Sequence, residues 1–153
     1  MRIPYLVAQA KSPLPSLGGS LLRARPVLAV RIAGPARSLL LDGLLDTGSD
    51  DTVFEEWVAA TIGVDLSQAA ERQVGLVGRT SLVRCRYAPV ELRITDGIRE
   101  TYQWTTLVGF VSTHLRYSLL GHASCLQFFD AHFRGADREV ELTPNSSFCG
   151  QRA

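Results

Sequence analysis

The chain has 153 residues, 46% hydrophobic and 20% charged, which suits one soluble globular domain that can bury a core without disulfide staples. Sixteen basic against fifteen acidic residues leave a net charge of +1, which points away from nucleic acid or any other polyanion as a partner. Cys85, Cys125 and Cys149 stand at scattered spacings with no CxxC and no His placed to suggest a zinc site, so neither a metal nor a cofactor is expected, and reduced thiols of a cytoplasmic protein are.

In chain order, residues 3–9 (IPYLVAQ) read as a short strand. Ala8-Gln9-Ala10 has the form of a signal-peptidase site, but the apolar run before it is too short and holds Pro4, so secretion is not expected. No later run approaches the ~20 apolar residues of a membrane helix, so no membrane partner is expected either. Residues 10–20, with two prolines, two glycines and three serines, read as a linker or mobile arm, which makes 1–22 a segment apart from a domain over 23–143. RPVLAVRIAG (25–34) alternates as a strand. SLLLDGLLDTG (38–48) is a second strand, with a bulge or bend at Asp42-Gly43. Phe54, Trp57, Val58 and Ile62 share a helical face that Gly63 ends, and Trp57 and Trp104 are expected to pack in or against the core.

Strand alternation returns over 72–94 and breaks at Gly75–Gly78, which predicts a hairpin. Asp96-Gly97 is a further hairpin turn, and 100–111 and 117–120 are strands. Residues 122–128 predict one or two helical turns. Residues 128–133 and 139–142 flank a closing hairpin, and 144–153 read as a loose tail. Seven to nine short strands, one or two short helices and no βαβ rhythm predict an all-β barrel or sandwich.

The chemistry gathers at LLDTGSDDTV (44–53). Asp46 ends a buried strand, where a carboxylate serves as acid or base once its surroundings move its pKa. Gly48 lets the backbone turn and approach a ligand closely. Thr47 and Ser49 carry hydroxyls able to bond a carboxylate or the neighbouring loop backbone. The plainer alternative is an Asx or ST turn that closes a strand, with Asp46 as a turn residue of a small binding barrel.

RPVLAVRIAG, LLDTGSDDTVFEEW, TLVG (106–109) and YSLLG (117–121), in that order, resemble the retropepsins, the retroviral-type aspartic proteases, over about residues 25–130. The resemblance implies a closed β-barrel with a flap hairpin that acts as a homodimer, because each chain brings one Asp-Thr-Gly and a site needs two. It implies an aspartic endopeptidase that hydrolyses peptide bonds with an acidic pH optimum. Its catalytic residue would be Asp46, facing Asp46 of the second copy, with one carboxylate activating a water and the other, protonated, polarising the carbonyl. By the same resemblance Thr47 bridges the two loops, Gly48 presents its carbonyl to substrate, and Asp50 and Asp51 line the cleft edge. Ser49 stands where retroviral enzymes often have Ala. A hydroxyl bonded to the carboxylate there would favour its charged form and move the optimum to lower pH.

The flap tip would fall within 75–80, which places Gly75, Leu76, Val77 and Gly78 over the substrate; the same glycines also suit an ordinary hairpin turn. His122 stands where the viral enzymes usually place an Arg that pairs with the equivalent of Asp50, so a structural pair Asp50–His122 is expected, charged only in acid. The hairpin near 128–142 could supply the dimer sheet. Residues 3–9 could join it, occupy the cleft or stay disordered. The alternative to an enzyme is a catalytically weak or inactive retropepsin-like module for dimerisation or peptide binding.

Overall fold

The computed structural model describes residues 1–76 and 80–152. Its strands are β1 (Arg2–Pro4), β2 (Leu6–Leu14), β3 (Ser20–Arg25), β4 (Val27–Ala33), β5 (Ser38–Leu45), β6 (Val53–Glu55), β7 (Ala70–Val74), β8 (Val83–Thr95), β9 (Thr101–Val111), β10 (Ser118–Leu120), β11 (Phe129–Arg134), β12 (Glu139–Pro144) and β13 (Gln151–Arg152). The helix α1 (Glu56–Ile62) follows β6, and 3-10 turns occupy Pro15–Leu17 and Leu126–Phe128.

Six strands close a barrel in the order β4-β5-β10-β6-β9-β8, with β8 returning to β4. The β5–β10 and β6–β9 pairs are parallel and the other pairs antiparallel. Closure leaves these six strands no free edge along the ring, which removes the usual hazard of unpaired backbone groups. Alternation explains the filling: Leu28, Val30 and Ile32 of β4 and Val90, Leu92 and Ile94 of β8 point inward, while Arg31 and Arg93 point out. Each such aliphatic contributes about 1.5–3 kcal/mol by leaving water.

β8 has two roles along its 13 residues. Its C-terminal half turns Ala88, Val90, Leu92 and Ile94 into the main core. Its N-terminal half pairs with β7 and sends Cys85 into a second, smaller cluster with Val53 and Val111, against which Tyr87, Leu115 and Leu119 pack. Opposite faces of one strand therefore serve the barrel interior and the layer next to the Asp46 loop. Gly109 of β9 belongs to that second layer, where a Cβ would overlap the Cys85 sulfur.

Several expectations need correction. Residues 10–20 are not an open linker: β2 and β3 pair antiparallel, the strand register shifts between Gln9 and Leu14 beside Pro13, and Gly18 and Gly19 take positive φ at the tip. The expected strand over 3–9 breaks at Tyr5, with β1 joining β12 and β2 joining β3. Asp42-Gly43 makes no bulge, because the β4–β5 register runs unbroken from Val27↔Leu44 to Ala33↔Ser38. Gly43 instead admits Leu120, whose Cδ1 would lie 2.7 Å from an added Cβ.

The tail after Pro144 is held rather than loose. β13 pairs with β9, and the Phe148 ring sits among Tyr102, Trp104, Phe128 and Phe129 at centroid distances of 5.3–6.5 Å. Trp104 is buried as expected and donates its indole N–H to the Ser124 carbonyl at 2.9 Å, whereas Trp57 is 51% exposed on the outer face of α1. Cys85 and Cys125 are buried free thiols, and burial pushes Cys125 up to about 12. No helix among the described residues is long and apolar enough to cross a membrane.

Candidate active site

Residues 46–52 connect β5 to β6, two strands that lie on either side of β10. The loop is anchored at both ends. Asp46 N–H donates to the Leu120 carbonyl at 3.1 Å, extending the β5–β10 ladder by one residue. At the far end Thr52 is buried, its hydroxyl donates to the Ala123 carbonyl at 2.8 Å, and its carbonyl accepts from Gly109 N–H at 2.9 Å. Between these anchors Asp46 Oδ1 accepts from Gly48 N–H at 3.0 Å, and the Asp46 carbonyl accepts from Ser49 N–H at 3.1 Å. A tight Asx turn therefore sets the carboxylate. Gly48 has room for little else, since an added Cβ would lie 3.3 Å from that same oxygen.

Gly121 is the second requirement of the loop. The loop backbone passes so close that a Cβ there would overlap the Asp51 carbonyl oxygen and stand 2.7 Å from the Ser49 carbonyl oxygen. That proximity lets the segment after β10 bond the loop: His122 N–H donates to Ser49 O at 2.9 Å and Ala123 N–H to Asp50 O at 2.8 Å. Asp50 and His122 are thus brought together by backbone. The expected Asp50–His122 side-chain pair is absent from the ion pairs among the described residues, and His122 lies exposed. The histidine that does meet a carboxylate is His114, whose Nδ1 lies 3.3 Å from Glu55 Oε1.

Of the two partners open to the Ser49 hydroxyl, the structure shows the loop backbone. The hydroxyl donates to the Asp51 carbonyl at 2.8 Å, so it braces the loop and not the Asp46 carboxylate. Asp51 has a side-chain partner that sequence reasoning missed: the Tyr87 hydroxyl donates to its Oδ2 at 2.7 Å. Burial first, then this bond to Asp51, pushes the Tyr87 phenol well above its ordinary value. The available signal was the position of Tyr87 two residues beyond Cys85 on one strand face, but which carboxylate that face would meet depends on a contact 36 residues apart.

Two hollows meet at Asp46. One, of about 220 Å³, is lined by Gly48, Ser49, Asp50, Asp51 and Val53 on the loop side and by Arg72, Gln73, Val74, Gly75 and Leu76 opposite. The second, of about 210 Å³, is more apolar and is lined by Leu44, Leu115, Tyr117, Arg25 and Arg116. Asp46, Leu76 and Leu119 line both, so one groove passes the carboxylate on two sides. Arg116 and Arg25 stand 5.4 and 5.9 Å from the centre of the Tyr117 ring, a pair of cation–π contacts at its rim. β7, the strand before the expected flap tip, provides the wall facing the loop. Val77 and Gly78 lie outside the described residues. Thr47 is exposed at the loop apex, and Asp46 itself is half-buried. Among the described residues no group of His, Cys, Asp and Glu has the arrangement of a metal site.

No protein-family model matches this chain, and no curated protein matches it. Among solved structures it is similar to the EIAV protease complexed with the inhibitor HBY-793, at 22% identity, with 64% of this chain and 82% of that chain covered and a TM-score of 0.44.

Proposed function

We propose that this chain is one half of a homodimeric aspartic endopeptidase of the retropepsin-like kind. The observation that carries the reading is the placement of Asp46: a carboxylate fixed by an Asx turn, half-open to solvent, at the centre of a groove that is acidic on one side and apolar on the other. One chain brings one such carboxylate, and a two-fold axis through the exposed Thr47 apex would bring Asp46 of a second copy beside it. Two carboxylates in contact share a proton, since both cannot be charged cheaply. The charged one takes a proton from a water, which attacks the scissile carbonyl carbon. The neutral one gives its proton to the carbonyl oxygen. Collapse of the tetrahedral adduct releases the amine, which leaves with a proton, and the shared proton is restored. This division of labour is the one known for aspartic proteases in general.

The groove suits an extended peptide, with an apolar side chain against Leu44, Leu115 and Leu119 and the backbone along the Gly48–Asp51 stretch. Activity is expected to be highest in acid, where the dyad holds its single proton. The test is cleavage of an unstructured protein across acidic to neutral pH by wild type and Asp46→Asn. Acid-favoured cleavage that the substitution abolishes supports the reading. Cleavage that survives it places the chemistry elsewhere.

A further inference from the structure

The β2–β3 hairpin is the part of the molecule that the barrel does not use. Among the described residues it forms a sheet of two strands, paired with no third. Leu6, Val7, Leu17, Leu21 and Leu22 are each 39–51% exposed along it. The register puts Leu6, Ala8, Arg23 and Arg25 on one face and Val7, Gln9, Leu22 and Ala24 on the other, so apolar side chains face solvent on both sides. An isolated two-stranded hairpin is marginal in water, and a free apolar edge of this length invites pairing.

Its position and charge indicate the cover. β3 runs through Pro26 directly into β4, and its last residue, Arg25, lines the same hollow as Asp46. The hairpin therefore rises from the face that carries the exposed Asp46 loop. From Tyr5 to Arg25 it bears Lys11, Arg23 and Arg25 and no acidic residue. The loop bears Asp46, Asp50 and Asp51 and no base; among the described residues Arg72 stands across the cleft from it, and Arg25 and Arg116 line the apolar hollow that Asp46 also lines. Nine residues of β2 reach about 30 Å at ~3.3 Å per residue, enough to cross an axis at the loop apex.

We propose that the β2–β3 hairpin is a dimerisation arm, which crosses to a second copy of this chain, buries its leucines there and sets its bases against the partner's acidic loop. The proposal rests on the dimeric reading above and adds the element that holds the dimer. It is tested by sedimentation velocity of the full chain across a wide concentration range, beside proteolysis. Leu21→Asp/Leu22→Asp and, separately, Lys11→Glu/Arg23→Glu are expected to loosen the dimer about tenfold or more, as loss of a buried apolar anchor or of charge complementarity does. Ile98→Asp, at a residue 84% exposed on the turn between β8 and β9, is expected to leave it unchanged.

A wild-type dimer that both arm variants match in strength overturns the arm and leaves the dyad standing. A wild-type monomer overturns the arm too, and if that monomer cleaves protein through Asp46 it overturns the shared dyad as well. An arm variant that stays dimeric and cleaves faster assigns the hairpin to blocking the groove and overturns its role as an arm.

Discussion

The Tyr87 hydroxyl and the Asp51 carboxylate meet at 2.7 Å, tying the middle of β8 to the far end of the loop that carries Asp46. β8 alternates without interruption, so Cys85 and Tyr87 share the face toward the loop while Ala88, Val90, Leu92 and Ile94 fill the main core from the other.

Tyr87→Phe keeps the ring and removes the donor. Stability at neutral pH is expected to fall by about 1.5–3 kcal/mol, the range for a bond to a charged acceptor. The pH dependence follows from the sign of the shift. The folded phenol titrates above the ordinary tyrosine value of about 10, so its contribution is whole below that value and is lost as pH rises toward the folded value. Denaturant midpoints measured from neutral to alkaline pH should therefore show a steep alkaline fall in wild type and a shallower one in the variant. The remaining alkaline fall belongs in part to Cys85, which burial also raises.

Ser49→Ala removes a brace and leaves the Asp46 carboxylate without a new neighbour, because the hydroxyl serves the Asp51 carbonyl. The expected outcome is a loss of about 1 kcal/mol in stability with the pH optimum of proteolysis unmoved. An optimum that moves upward would restore the hydroxyl–carboxylate contact expected from sequence.

Gly121→Ala forces the backbone of the loop away from β10, since the new methyl overlaps the Asp51 carbonyl oxygen. A destabilisation of about 1–3 kcal/mol is expected from the overlap, with a larger loss of turnover as Asp46 shifts. Gly135→Ala is the comparison, because a Cβ there meets nothing within 4 Å. Thermal melts and kcat of the two variants, measured side by side, check the difference.

Phe148→Ala opens the aromatic cluster formed with Tyr102, Trp104, Phe128 and Phe129. The ring is half-buried, so a loss of about 2–3 kcal/mol is expected, somewhat below the figure for a fully buried phenylalanine. Limited proteolysis of the variant should then release the last residues, which wild type keeps paired to β9.

The barrel was legible because its strands alternate cleanly, as Leu28, Val30 and Ile32 do, and because Asp96-Gly97 and Gly34-Pro35 punctuate them. The Asp46 loop was legible as a motif. Its bonding was not, because the partners of the Asp51 carboxylate and of the Ser49 and Asp50 carbonyls come from β8 and from the segment after β10, far along the chain. The β2–β3 hairpin was not legible for a different reason. Pro13, Pro15, Gly18 and Gly19 carry the composition of a linker, yet here they make the irregular register and the tip of a hairpin whose strands flank them. Phe148 gave no periodic signal, since a single ring in a polar tail is read only once the cavity it fills is known.

The central claim, that two copies supply one site, is tested most directly by mixing. Wild type is incubated with a tenfold excess of Asp46→Asn until subunits exchange, and proteolysis is measured per wild-type chain. If each site needs two aspartates, activity per wild-type chain falls about tenfold, because nearly every wild-type chain then faces an inactive partner. If activity per wild-type chain stays constant while exchange is confirmed by mass, one chain holds a complete site and the shared dyad is wrong.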